Sequence, residues 1–460
     1  MAAICLCLAI HEPYYLRRYT IFDIAENSLY EDDDRSCNMA MHNAQTCYLP
    51  TNEILYHLIQ RYKGNFRLAL SISDSALDLF EQYTPEVIDS VRALAETGCV
   101  EFISESGPHS LACLYSREEF IHQVQEHNRR IRRTFGRVPS TFRNSELLYG
   151  NDLAQTIAQL GFSTVLTEGS PQLLGWRSAN FVYAASVAPQ LHLLLRNADL
   201  STDISQRFSQ KSWDRWPLTA DTFASWCENI GEQADTINLF LDFHVFGLRN
   251  TADSGIFSFL EALPEQILQK KHLDFLTPKQ VVKKFPVRDS LAVAEYQSWN
   301  DEGCDLKGWL GNEMQKDAIK ELYRLALRAR SLGDEDILRD FERLQTSDYF
   351  HYMSTRWFSE SQPDRPNPYA SPYDAYISYM NIVADLGERL TRCEENKKQR
   401  TRASRSRKDA TPAQPNMQER TTQTGKTADS VAPKTSKKTA RTRAASKVHA
   451  SKRTAKKASS

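Results

Sequence analysis

AAICLCLAIHEP, residues 2–13, opens the chain with nine apolar residues in a row and turns polar at His11 and Glu12. A strand with one wet face alternates apolar and polar side chains, whereas an unbroken apolar run fits a strand covered on both faces, as in a parallel sheet flanked by helices. The run is too short to cross a bilayer. It has no basic segment before it and no small-residue cleavage site after it, so it reads as a buried first strand and not as a signal peptide.

Similar units recur over the first 290 residues. FRLALSIS, CVEFIS, STFRN, FSTVLTE, LHLLLR and INLFLDF alternate with helical stretches near 52–62, 85–97, 117–135, from 152, and 221–231. Ser116 stands three residues before Glu119 at capping-box spacing. Repeated β–α units predict a parallel sheet with helices outside, and their number favours a barrel over an open sheet. From about residue 312 the pattern becomes helical at period 3.6, through MQKDAIKELYRLALRARSLG, DEDILRDFERLQ and SPYDAYISYMNIVADLGERLTRC. The predicted organisation is an α/β domain over 1–290, a helical subdomain over 291–396, and a tail over 397–460.

The net charge of -1 conceals a division. The tail holds 19 Lys or Arg against three acids, leaving 38 bases against 55 acids in the rest. With no aromatic residue beyond Glu395, the tail lacks the apolar surface to order itself and is expected to be disordered. Its Lys and Arg are expected to meet nucleic acid or other polyanions through phosphate density alone, with no reading of bases. Self-association with the acidic globule is the competing reading. Nine scattered cysteines, odd in number and without CxxC spacing, argue against a disulfide framework and a structural zinc site. They fit a reducing, cytoplasmic compartment. No apolar stretch is long enough for a membrane span.

In parallel β/α architectures the site lies where strands end at their carboxyl edge. Here those ends carry His11-Glu12-Pro13, Glu105 with His109, Glu146, then Asn197, Asp199 and Asp203, and Asp242 with His244. Carboxylates gathered at one rim suit acetal cleavage, which needs one carboxylate at the anomeric carbon and one carboxylic acid to protonate the leaving oxygen. Glu146 and Asp242 are the best pair. Tyr149, Trp176, Trp213 and Trp216 are candidates for stacking on sugar rings. Spacing alone leads no further than an acid-lined β/α enzyme of hydrolytic chemistry, since a lone strand-end Glu is more often a helix cap or salt-bridge partner.

At these residues the chain resembles glycoside hydrolase family 57, in its α-amylase branch, whose five short motifs have counterparts here in order. They are His11-Glu12-Pro13; GCVEFISESGPHSL, with Glu101 and His109; FRNSELLY, with Glu146; Asp242-Phe243-His244-Val245-Phe246-Gly247; and LQTSDYFHYMSTRW, with Asp348 and Trp357. RNADLSTDISQRFS adds Arg196 and Asp203. The resemblance covers roughly residues 1–385. It implies an incomplete TIM-like (β/α)7 barrel followed by a helical bundle. It also implies metal-free, retaining cleavage of α-1,4-glucans such as starch, glycogen or maltooligosaccharides. Glu146 would be the nucleophile and Asp242 the general acid/base. His11, Glu101, His109, Tyr149, Arg196, Asp203, His244, Asp348 and Trp357 would bind substrate. Glu12 stands where the family usually has Gln, and His244 and Val245 where it usually has Glu and Thr. These departures keep two alternatives open: a catalytically weakened glucan-binding protein, and a metal-dependent polysaccharide deacetylase using the histidines.

Overall fold

A computed structural model describes residues 2–299, 303–356 and 367–409, with side chains as far as residue 401. Residues 1–402 pack as one compact unit. Its strands are β1 (Ala2–Ile10), β2 (Leu68–Ile72), β3 (Val100–Ser104), β4 (Thr141–Arg143), β5 (Thr164–Thr167), β6 (Val182–Ala185), β7 (Ala188–Leu195), β8 (Thr236–Asp242), β9 (Leu273–Phe275) and β10 (Val287–Leu291). They form one sheet in the order β10-β6-β7-β5-β4-β3-β2-β1-β8, with β9 also pairing with β1. From β7 through β8 every neighbour along that path is parallel, giving the seven strands of an incomplete barrel.

The first strand shows why the sequence curls. Ala3, Cys5 and Cys7 lie in the inner core with Ile103, Leu166, Leu194 and Phe240. Ile4, Leu6, Leu8 and Ile10 point the other way, into the outer core beneath the helices. Small residues inside and large branched ones outside suit a sheet that closes on itself, because a narrow barrel interior has less room than its outer face. Each large outward side chain contributes roughly 1.5–3 kcal/mol by leaving water.

Closure between β7 and β8 is made by a few bonds instead of a ladder. Asn197 N donates to the Asn238 carbonyl at 2.9 Å, Asn238 Nδ2 to the Leu195 carbonyl at 2.8 Å, and Arg196 Nε to the Phe240 carbonyl at 3.1 Å. Side-chain amide and guanidinium donors thus stand in for missing backbone pairs.

Most expected elements are present. The helix near 52–62 runs Leu49–Tyr62, that at 117–135 runs Arg117–Phe135 with the Ser116 hydroxyl accepting from Glu119 N, and that near 221–231 runs Ala220–Gly231. One unit differs from the reading. FVYAASVAPQLHLLLR holds a hairpin, with β6 antiparallel to β7 across Ser186–Val187, where only the second run reads clearly as a strand. Two short apolar runs separated by two residues are a hairpin signal, hidden here because neither turn residue is Gly, Asn or Asp.

After β10 the described residues carry no further strand. Helices Glu313–Arg324, Ala326–Leu332, Glu335–Arg343, Ser347–Tyr352 and Pro372–Asp409 follow. They share a core with β4, β5 and β7 that includes Phe142, Val165, Leu193, Ile319, Phe341, Tyr379 and Leu386. We retain the division into 1–290 and 291–396 as a proposal that places its boundary at the last strand. The tail expected to be disordered from 397 instead continues the helix Pro372–Asp409 through its first thirteen residues; the remainder, with its expected disorder and polyanion contacts, lies outside the described residues.

Gly247, which ends the motif carrying Asp242, sits at φ +108, and a Cβ there would lie 2.0 Å from the Thr46 carbonyl oxygen. Both the left-handed backbone and the close approach of the segment at Thr46 require glycine. Gly247→Ala is expected to destabilise the fold by about 2–4 kcal/mol, measured by urea unfolding; a change within about 0.5 kcal/mol would contradict this packing.

Candidate active site

Alternation along the strands decides which polar residues meet. Continuing the inward register of Ala3, Cys5 and Cys7 on β1 brings His11 to the rim. On β3, Ile103 faces inward and so do Glu101 and Glu105, two residues to either side. They occupy opposite ends. Glu101, at the amino end, accepts from the Thr141 hydroxyl at 2.6 Å and from the backbone N of Lys279 at 2.9 Å. Glu105, at the carboxyl end, accepts from Arg143 at 3.0 Å. Of the two acids in this motif, Glu105 joins the rim cluster and Glu101 supports the floor.

Glu146 follows β4 in an unusual backbone. Its φ of 55 and ψ of 26 are left-handed, and Leu147 follows at φ 52. The kink turns the Glu146 carboxylate toward the rim, where it is buried. Oε2 accepts from the Trp299 indole N–H at 2.9 Å and Oε1 from the Ser347 hydroxyl at 3.1 Å. His109 Nε2 lies 3.4 Å from Oε1, while His109 Nδ1 faces Glu105 at 3.6 Å. Arg143 holds its guanidinium 4.9 Å over the Trp299 ring, bracing the indole that grips Glu146.

His109 lies face to face with His11, ring centroids 3.9 Å apart and planes inclined by 16°. His11 Nε2 meets Asp348 at 2.7 Å, and Nδ1 meets the Ser73 hydroxyl at 2.9 Å. With the Asp348 carboxylate accepting at Nε2, Nδ1 is left to accept from Ser73. Burial pushes the His109 imidazole down, but the Glu105 and Glu146 carboxylates outweigh it and raise it to about 9. Burial, joined by the charge of His109, holds His11 below its ordinary value. The opposite shifts favour the positive charge of the stack on His109, beside Glu146.

Asp348 and Ser347 come from the C-terminal helices. Ser110 and Thr346 form a backbone bridge, and Ser347 N donates to the His109 carbonyl at 3.0 Å. This short pairing sets Ser347 on Glu146 and Asp348 on His11.

Across the rim, Asp242 ends β8, and its Oδ1 accepts from His244 N at 3.3 Å. The Asp242 side chain retains 12% exposure against 1% for Glu146, so the two carboxylates occupy different environments. His244 Nδ1 stands 3.9 Å from Asp242 Oδ1. Its Nε2 meets Glu12 at 3.0 Å and the Tyr48 hydroxyl at 2.6 Å.

Glu146, His109, His11 and Asp348 thus form one chain of contacts, and Asp242, His244 and Glu12 a second; the peptide bond between His11 and Glu12 joins the two. Arg196 bonds the Phe240 carbonyl, two residues before Asp242, and pairs with Glu168 at 3.2 Å. Asp203 is turned to Arg207 at 2.7 Å, and the Tyr149 ring joins the core shared with the C-terminal helices. Trp176 is 93% exposed and Trp216 43%, while Trp213 packs on the outer core. Trp357 lies outside the described residues. Arg143, Trp299, Ser347 and Tyr48 were not singled out by the sequence. Arg143, three residues before Glu146 on a short strand, carried a usable signal; Trp299, 153 positions away, carried none.

The histidines do not converge on one point. His11 and His109 direct Nε2 to Asp348 and Glu146, and His244 turns to Glu12. Among the described residues no group of three or more His, Cys, Asp or Glu is arranged to hold a metal ion.

The raised His109 value fixes a sign. Its contribution to stability is complete below the ordinary value of 6.5 and is lost as pH rises through about 9. Imidazole NMR of the folded protein should show a His109 midpoint near 9 that falls in Glu105→Gln; a midpoint at the ordinary value would contradict the arrangement.

The Glycosyl hydrolase family 57 model matches residues 5–294. A protein of Methanocaldococcus jannaschii named "Putative alpha-amylase" is 35% identical over 392 residues, covering 82% of each chain. The crystal structure of the α-amylase AmyC from Thermotoga maritima superposes with a TM-score of 0.59 at 14% identity, covering 85% of this chain and 93% of that one. A GH57-type branching enzyme from Pyrococcus horikoshii gives 0.60 at 14%, covering 86% and 91%. Those two likenesses concern the fold; the family match and the archaeal relative decide the lineage, and the chain belongs to glycosyl hydrolase family 57.

Proposed function

We propose that the protein is a retaining glycoside hydrolase acting on α-1,4-glucans, with Glu146 as nucleophile and Asp242 as general acid/base. The observation that carries this reading is the treatment of Glu146: a buried carboxylate turned to the rim by left-handed backbone, bonded by the Trp299 and Ser347 donors, with the His109 imidazole 3.4 Å away. Donors and a neighbouring cation stabilise the ionised carboxylate, the form that attacks an anomeric carbon. They also fix its aim, which is where much of the rate advantage of a bound nucleophile originates.

Asp242 supplies the complementary group. At the end of β8 and facing the same rim, it is assigned to protonate the departing glycosidic oxygen and then to take a proton from the incoming water. The name carried by the archaeal relative supports an α-glucan as substrate. His11 and Asp348 are assigned to sugar hydroxyls around the stack. Glu101 is assigned to supporting the barrel floor, and Glu105 to holding His109.

Product analysis on maltooligosaccharides and soluble starch tests the reading. Shorter glucans are expected from the parent protein, and Glu146→Ala should lower turnover by about 10⁴-fold or more. Asp242→Asn should be rescued most on substrates with a good leaving group, which need no protonation. Equal turnover by parent and Glu146→Ala would overturn the assignment, and products longer than the substrate would redirect it to glucan transfer by the same two carboxylates.

A further inference from the structure

Glu12 and His244 come from the ends of β1 and β8, strands paired in parallel along their length. Glu12 Oε1 is met by three partners: Asn43 Nδ2 at 2.7 Å, the Tyr48 hydroxyl at 2.7 Å and His244 Nε2 at 3.0 Å. All four side chains are buried or nearly so. Tyr48 also closes the triangle to His244 Nε2 at 2.6 Å, and its ring packs near Phe243. The opposite edge of the imidazole faces Asp242, with Nδ1 at 3.9 Å from Oδ1 and the His244 backbone N on that same oxygen.

We propose that Glu12 and His244 act as one donor–acceptor unit that positions Asp242, with Glu12 anchoring the imidazole so that the turn carrying the acid keeps a single orientation. The proposal rests on the hydrolase reading above and deepens it. His244 is a positioning residue: it acts on the reaction through Asp242. A carboxylate receiving three donors on one oxygen is a fixed point. An imidazole bound to it at Nε2 cannot rotate without breaking two contacts, and Asp242 is two residues from that imidazole on a one-turn helix, Phe243–Val245. Any shift of the turn that carries His244 therefore moves the carboxylate that must deliver the proton.

The unit has a polarity, and polarity can be tested by suppression. His244→Glu would bring a second buried carboxylate against Glu12, which like-charge repulsion and lost hydrogen bonds make costly. Adding Glu12→Gln removes one charge. The amide oxygen continues to accept from Asn43 and Tyr48, while its NH2 donates to the new carboxylate. Alone, Glu12→Gln keeps most of these bonds, because its amide oxygen can take the place of Oε1 and accept from Asn43, Tyr48 and a protonated Nε2.

The experiment is kcat and KM on a maltooligosaccharide for the parent, H244E, E12Q and E12Q/H244E, with thermal unfolding of each. H244E should lower kcat/KM by about 100-fold, mostly in kcat, and E12Q by tenfold or less; E12Q/H244E should recover to within about tenfold of the parent. Recovery in kcat beyond any recovery in Tm separates positioning from stability. If E12Q/H244E is no better than H244E while both fold, the unit does not exist. If H244E fails to fold, H244Q with and without E12Q replaces it. H244Q should lose kcat, and E12Q should add little further loss because the pair is already broken; a full additive loss overturns the proposal. A parent that turns over no glucan overturns the hydrolase reading and this proposal together, whereas an active parent with additive variants overturns this proposal alone.

Discussion

Two consecutive non-glycine residues in left-handed backbone, Glu146 and Leu147, are the constraint around which this site is organised. Each costs of order 1–2 kcal/mol relative to ordinary backbone, so the conformation persists only where the surroundings impose it. Leu147 is sealed into the inner core. Leu147 N and Leu148 N donate to Asn144 and Ser145, and Trp299 N donates to the Glu146 carbonyl at 3.3 Å. The side-chain grip by Trp299 and Ser347 completes the hold. Such strain at a strand end is understandable if the carboxylate must face a particular point; straight continuation of β4 would carry it past the rim.

That hold draws on distant parts of the chain. Ser347 and Asp348 reach the rim because Thr346 pairs with Ser110, and the helices behind them are fixed by charge. Arg330 bonds Glu119 through both terminal and inner nitrogens at 2.7 and 2.9 Å and reaches Glu342 at 2.7 Å. Gln345 donates to the same Glu119 at 2.9 Å. Partly buried arginine–carboxylate forks of this kind set register as much as stability. The C-terminal helices therefore supply two of the side chains that touch the central carboxylate and its histidine stack, and a barrel alone would leave both sites incomplete.

Much of this was legible in the sequence, for physical reasons. Unbroken apolar strands such as AAICLCLAI betray burial on both faces, and polar residues after such strands must lie at the rim, so His11, His109, Glu146, Asp242 and His244 were located by position. Period alone could not say which of two inward acids on β3 sits at which end of the barrel. Glu101 and Glu105 share a face, and only strand boundaries separate floor from rim. Asp203 and Tyr149 were drawn in by neighbouring motifs, yet one turns to Arg207 and the other to the core. Trp299 was illegible because nothing local marks a tryptophan that serves a residue 153 positions earlier. The Glu12 and His244 departures looked independent in sequence; in space they are partners.

Under the proposed mechanism Glu146 is the residue that forms the bond to sugar. Incubation with an activated fluoro-sugar that accumulates the glycosyl-enzyme, followed by peptide mass spectrometry, tests this directly. A single added glycosyl mass is expected on the peptide bearing Glu146, absent from Glu146→Ala. An adduct on another carboxylate, Glu105 or Asp242 among them, would contradict it.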